Sequence, residues 1–274
     1  MNTQIVAVTR RRGTTFPAVL VFLALASYTP EAKAQIAVDE LELRLSLRRG
    51  VGGTMSSESF HTANPSATPA QVTISVQDWD RSEAGENRYY PLGTLPTSCA
   101  SHIKVFPSVL QLDPRSVQTV RVALDSAEAV PHGCYAILFV ETPAAPRSAR
   151  GPAVTYSLRY GVKVYVEPEG APSAELDNIF LERKAADSPA RQLVIAYRNT
   201  GARQTMARGK VEIRRTDNTL VSTLDIPEFP TLPGATRRLG VPLPLLPKGK
   251  YVLLALLDYE GSEIAAGQVD LEIP

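Results

Sequence analysis

Histidine and cysteine are scarce in this chain: three of the one and two of the other among 274 residues. His61, His102 and His132 stand far apart and no C-x-x-C pair occurs, so no metal site is legible and no cofactor is expected. Catalytic signatures are missing too. There is no nucleophile elbow, no HExxH, no phosphate-binding glycine loop and no kinase motif, and the chain is read as a non-enzyme. Neither sign of charge is in excess. The 29 basic and 28 acidic residues leave a net charge of +1, which argues against nucleic acid or an anionic membrane as partner. Beyond the N-terminus no apolar run is long enough to span a bilayer; "YVLLALL", Tyr251 to Leu257, reads as a buried strand. Helix-favouring runs are few, whereas proline is frequent at 22 residues, which leans toward β-structure with many turns.

The N-terminus has the layout of an export signal. Arg10, Arg11 and Arg12 form a basic segment, Phe16 to Ala26 is apolar, and Ala32-Lys33-Ala34 offers a cleavage site before Gln35. Residues 1–34 are therefore expected to be removed. The mature chain is expected in the periplasm, with the cell exterior as the alternative. In an exported protein an even cysteine count points to a disulfide between Cys99 and Cys134; two buried free thiols are the alternative. Closing a loop of that length stabilises a fold by about 4 kcal/mol in the chain-entropy model.

What the chain does contain is short alternating runs. "LELRLSL" (Leu41 to Leu47) alternates leucine with polar residues, and "QVTISVQDW" (Gln71 to Trp79) puts Val72, Ile74 and Val76 on one face. "HIKVF", "VQTVRVAL" and "CYAILFVE" follow. "VTYSLRYGVKVYVEP" (Val154 to Pro168) carries Tyr156, Leu158, Tyr160, Val162, Val164 and Val166 at every second position, with Arg159 and Lys163 opposite. Turns containing Asn-Pro, Asp-Pro and Pro-His-Gly separate these runs. About seven strands precede Pro168, the number of an immunoglobulin-like sandwich.

The second half repeats the pattern. "VPHGCYAILFVE" is matched by "LPKGKYVLLALLDYE", each Pro-x-Gly-x-Tyr followed by a long apolar strand. "LDPRSVQTVRV" is matched by "TLPGATRRLGV", and strands end at asparagine turns at Asn64 and Asn199. Tyr135 and Tyr251 both suit the tyrosine corner of such sandwiches. Three matched pieces in one order predict an all-β chain of two immunoglobulin-like β-sandwich domains in tandem. Pro168, Gly170 and Pro172 break the pattern, which places the domains at 35–168 and 169–274.

The first domain resembles the periplasmic chaperones of chaperone–usher pili, the PapD-like proteins. The resemblance covers about 36–168. It is carried by "VLQLDPRSVQTVRV", by "VPHGCYAILFVETPAAP", by "VTYSLRYGVKVYVEP" with its lysine five residues before a proline, and by Trp79. Two departures stand beside it. The strand at Cys134 opens Gly133-Cys134-Tyr135 instead of with a charged pair, and the last strand ends Tyr165-Val166-Glu167-Pro168. The resemblance implies a chaperone that lends its last strand to an incomplete pilus or fimbrial subunit by β-strand addition. It implies pilus-type subunits as partners, with an outer-membrane usher beyond them. Tyr156, Leu158, Tyr160, Val162 and Val164 would be the subunit-binding residues of that strand, or else would face the domain's own core.

By the same resemblance the subunit's C-terminal carboxylate is held by a lysine and an arginine. Lys163 takes the lysine's place. Arg48 has the arginine's spacing from Asn64, whereas Arg44 sits better in the alternating strand; Arg48 is preferred. A carboxylate can be buried in a cleft only where charge-assisted hydrogen bonds replace water. The plainer expectations are an edge-protecting lysine at Lys163, a sandwich-core residue at Trp79 and a solvated turn at "DWDRSE". The alternative function is a non-catalytic secreted structural or adhesion module with no client cleft.

Overall fold

The computed structural model describes residues 36–47, 56–125, 133–143, 157–183 and 191–274. The expected targeting segment, Arg48 and Tyr156 lie outside the described residues. Among these residues, no helix is long and apolar enough to cross a membrane.

Among the described residues ten strands come before the domain junction: β1 (Ala37–Val38), β2 (Glu42–Leu47), β3 (Ser57–Ala63), β4 (Ala70–Arg81), β5 (Asn87–Tyr90), β6 (Ile103–Phe106), β7 (Val109–Leu112), β8 (Val117–Leu124), β9 (Cys134–Glu141) and β10 (Arg159–Pro168). Seven follow: β11 (Ala174–Arg183), β12 (Arg191–Asn199), β13 (Thr205–Arg215), β14 (Leu220–Thr231), β15 (Thr236–Pro242), β16 (Gly249–Asp258) and β17 (Ala265–Ile273). They build two immunoglobulin-like sandwiches. In the first, a sheet ordered β1-β3-β8-β6 faces one ordered β2-β10-β9-β4-β5, with β7 also on β4. In the second, β11-β12-β15 faces β14-β13-β16-β17. The three strands of the first sandwich beyond the expected seven are β1, β5 and β7. They are two to four residues long and too short to show a period.

Alternation explains the cores. Leu43, Leu45 and Leu47 of β2 point inward, as do Val162, Val164 and Val166 of β10, onto Val72, Phe60, Val120 and Val122. β9 is buried on both faces, which is why "CYAILFVE" reads as an unbroken apolar run. Its Cys134, Ala136, Leu138 and Val140 enter the sandwich core, while Tyr135, Ile137 and Phe139 enter a separate aromatic cluster on the outer face. Cys99 and Cys134 form a disulfide with their Cα atoms 5.6 Å apart.

The internal repeat holds at the level of hydrogen bonds. The amide of Asn64 donates to the carbonyls of Thr68 (2.8 Å) and Leu112 (3.2 Å), and its oxygen accepts from Ser66 N–H (3.0 Å). Asn199 does the same with Arg203 (2.7 Å), Thr231 (3.0 Å) and Gly201 N–H (2.9 Å). The proline turns also correspond. Ser116 N–H bonds Asp113 O and Ala235 N–H bonds Leu232 O, with positive φ at Arg115 (56°) and Gly234 (72°). Proline followed by a positive-φ residue is the signature of a type II turn. Among the described residues the tyrosine-corner bond is made in the second domain. Tyr251 donates to Pro247 O at 2.9 Å, whereas Tyr135 donates to the Thr97 hydroxyl at 3.2 Å.

Candidate functional site

The first strand changes sheets, and that decides which part of β10 it pairs. β1 pairs with β3 in one sheet; the chain then crosses at residues 39–41 and β2 pairs parallel to β10 in the other. That pairing begins at Lys163↔Glu42 and runs to Pro168↔Leu47. Lys163 N–H is already bonded to Leu41 O at 2.8 Å. Upstream of Lys163, no described residue pairs with the outer edge of β10. The inner edge is taken by β9 from Arg159↔Glu141 onward, and Thr142 N–H bonds Leu158 O. In an antiparallel ladder alternate residues bond the same neighbour, so the even-numbered residues serve β9. The N–H and C=O groups of Arg159 and Gly161 therefore point to the side that no described residue pairs.

Side chains follow the same parity. Val162 and Val164 are fully buried in the sandwich's own core, and Leu158 and Tyr160 pack against it. The Tyr160 hydroxyl donates to Ile36 O at 3.0 Å. The opposite face carries Arg159, Gly161, Lys163, Tyr165 and Glu167. Arg159 pairs with Glu141 and lies over the Phe139 ring, 4.4 Å from its centroid.

Lys163 is neither solvated nor isolated. Its side chain is 20% exposed, its Nζ lies 5.5 Å from the centroid of Trp79, and it is 3.4 Å from Glu42 Oε1. Arg44 converges on the same carboxylate, with its Nη2 3.8 Å from Glu42 Oε2. The register explains why: Lys163 stands opposite Glu42 and Tyr165 opposite Arg44 on one face of the parallel pair. Arg44 lies over the Tyr165 ring at 5.3 Å and bonds Glu167 Oε1 at 2.8 Å and Gln204 Oε1 at 3.0 Å. Glu167 is 7% exposed and also accepts from Arg203 (3.2 Å) and the backbone N–H of Gln204 (3.3 Å). Its charge is held by cations from both domains.

Trp79 is buried, but not where a core residue was expected. Val72 and Ile74 of β4 have even numbers and point into the sandwich; Trp79 is odd and points out, toward the second domain. There it meets Tyr135 (5.7 Å, edge-on), Tyr165 (6.1 Å, edge-on) and Leu232 of the second domain's proline turn. Its indole N–H donates to Ala136 O at 3.0 Å. Burial raises the Tyr135 phenol, and burial together with the Glu42 charge raises that of Tyr165, so both rings stay neutral.

The "DWDRSE" stretch is not a solvated turn. Asp78 is fully buried and accepts from Thr94 N–H (2.6 Å), Leu95 N–H (2.7 Å) and the Ser98 hydroxyl (2.7 Å). It thereby anchors the loop that leads to Cys99. Asp80 takes a two-pronged bond from Arg88, and Glu83 pairs with Arg238. Arg88 reaches Asp80 across the β4–β5 hairpin, while Arg238 reaches Glu83 from the second domain, out of reach of local sequence patterns.

No protein-family model matches the sequence, and no curated protein does. Solved structures do. A chain from a chaperone–tip adhesin complex described as vital for CFA/I fimbriae biogenesis is 11% identical; 88% of this chain and 100% of that chain are covered, at a TM-score of 0.52. The class 5 fimbriae chaperone CfaA is 11% identical, over 87% of this chain and 99% of that chain, at a TM-score of 0.51. The likeness is one of fold: this chain has the two-domain immunoglobulin-like architecture of fimbrial chaperones over most of its length.

Proposed function

We propose that this protein is a periplasmic assembly chaperone for pilus-type subunits. It binds them by strand addition along the open edge at Arg159 and Gly161 and the chain just before them. A single observation supports the reading most strongly: two cations from two strands, Lys163 and Arg44, converge on one carboxylate beside that edge. In the free chain the carboxylate is Glu42's. A subunit's C-terminal carboxylate would take its place, replacing long contacts of 3.4 and 3.8 Å by direct charge-assisted hydrogen bonds. Arg44 is favoured here as the partner of Lys163; Arg48, preferred on spacing, lies outside the described residues. Since Val162 and Val164 fill the domain's own core and Leu158 and Tyr160 pack against it, the side chains offered to a client come from the chain before Leu158, Tyr156 included.

The test is capture of partners from the native periplasm with the tagged mature protein, identified by mass spectrometry. Wild type is run beside Lys163→Ala, Arg44→Ala and Arg48→Ala. Immunoglobulin-like subunits recovered with wild type and lost with Lys163→Ala and Arg44→Ala support the reading. Absence of such subunits, or recovery indifferent to both changes, favours the structural module without a client cleft.

A further inference from the structure

Two carboxylates sit on the cations beside β10, and they are held very differently. Glu167 is buried and accepts direct bonds from Arg44 (2.8 Å), Arg203 (3.2 Å) and the backbone N–H of Gln204 (3.3 Å). Glu42 is held loosely. Its side chain is 41% exposed, and among the described residues its ion pairs and hydrogen bonds are the two long contacts alone, 3.4 Å to Lys163 and 3.8 Å to Arg44. It is the first residue of β2 and stands opposite Lys163, where pairing on the outer edge of β10 begins. Arg44 keeps Glu167 if Glu42 swings away. Lys163 keeps no acid among the described residues, only the face of Trp79 at 5.5 Å.

Such a contact contributes little to the fold, because long, exposed ion pairs are screened by water. β2 is fixed instead by its ladder to β10 and by Leu43, Leu45 and Leu47 in the core. What Glu42 does is occupy. It is tethered one strand spacing from Lys163, and a carboxylate tethered that closely acts at an effective concentration in the millimolar range or above. A small free carboxylate must outcompete it on charge alone. A polypeptide that ends beside Lys163 brings the same carboxylate together with main-chain hydrogen bonds to Arg159 and Gly161. Discrimination is a difference of affinities, and an internal occupant that weakens every carboxylate equally excludes those with nothing else to offer.

We propose that Glu42 is a specificity-determining residue, an internal stand-in for a terminal carboxylate: it fills the Lys163–Arg44 pair in the free chain and swings into solvent when a polypeptide's carboxylate seats. For its ligand the proposal rests on the subunit-capture reading above. Sodium acetate, the bare carboxylate, is titrated into mature wild type, Glu42→Gln and Glu40→Gln at constant ionic strength set with sodium chloride. Emission of Trp79, the chain's single tryptophan, is followed, since Lys163 lies over its ring. Glu40 is an exposed acid two residues earlier and controls for net charge. Glu42→Gln is expected to bind acetate about fivefold more tightly than wild type, the advantage that two exposed ion pairs no longer withhold. Glu40→Gln should match wild type, the gain should vanish when Lys163→Gln is added to Glu42→Gln, and the melting temperature of Glu42→Gln should stay at the wild-type value. In a second arm, equal amounts of wild type and Glu42→Gln with different tags compete for subunits in one periplasmic extract, and Glu42→Gln should carry the larger share. A Glu42 that merely positions Lys163 gives the opposite sign, with weaker acetate binding and a smaller share. That result, no gain in acetate binding, an equal share of subunits, or the same gain in Glu40→Gln overturns the proposal, while capture by wild type keeps the chaperone reading intact. Tighter acetate binding by Glu42→Gln with no subunits on either bait upholds the internal occupant and removes the chaperone reading.

Discussion

Leu232 is the residue on which the two domains are expected to turn. It sits in the second domain's proline turn, 2% exposed, among Trp79, Tyr135, Ile137, Phe139 and Tyr165 of the first. Leu232→Ala removes three carbons. At about 0.8 kcal/mol for each buried methylene that is about 2.4 kcal/mol, and an unfilled cavity adds to it. Buried Leu→Ala changes cost about 2–5 kcal/mol, and a turn at a domain junction can settle partly into the gap, so the expected loss is about 3 kcal/mol. The effect differs from a core mutation in where it is felt. Loosening the turn admits water to Trp79, so native emission should shift to the red before any unfolding. Leu253→Ala, a fully buried change inside the second sandwich, should lose a similar amount of stability while leaving native emission alone. Urea titration followed by tryptophan emission reads both quantities. If Leu232→Ala keeps its stability within about 0.5 kcal/mol of wild type and its native emission unchanged, the junction is not held as argued.

Three further outcomes follow from the geometry. Gly133→Ala would place a Cβ 1.8 Å from the Ala202 carbonyl oxygen; the clash is with backbone, so the junction must open, at a cost of about 1–3 kcal/mol by chemical denaturation. Asn199→Ala leaves the carbonyls of Arg203 and Thr231 without their amide donor and should cost about 1–3 kcal/mol by the same assay. For Asp125, burial pulls the carboxyl up, but Lys104 and His102 outweigh it and the value falls below the ordinary 3.8. A depressed carboxyl stabilises the fold above its unfolded value and loses that stabilisation as pH drops through the folded one. Asp125→Asn should thus cost less than about 1 kcal/mol at pH 7, and the difference should vanish at pH 2.

Much of the fold was legible because its signals are local. Period-two alternation located the longer strands, and the repeated Pro-x-Gly-x-Tyr, proline-turn and asparagine pieces located the second sandwich. The asparagines were legible as turns, though not as the bridges they make to β7 and β14. What alternation cannot report is which face of a strand meets a second domain. β4 and β10 are covered on both sides near their C-terminal ends, so Trp79, Tyr165 and Glu167 are buried opposite the core-facing residues. For the same reason Lys163 could be placed on the non-core face but not beside Glu42 and Trp79. Arg44 comes to lie beside Glu42 and Glu167 through parallel pairing with β10, more than a hundred residues away, which no local spacing reports.

The central claim is that a client strand pairs with the open edge of β10, and Gly161→Pro tests it most directly. Proline removes the one N–H that Gly161 offers to the open side while sparing the bonds to β9, and edge strands tolerate it. A Cβ at this position meets the flexible tip of Ile137 at 3.0 Å and the edge of the Phe139 ring at 3.7 Å. The variant should keep wild-type melting and Trp79 emission yet no longer capture immunoglobulin-like subunits from the periplasm. Subunits recovered by folded Gly161→Pro at wild-type levels would contradict strand addition at this edge.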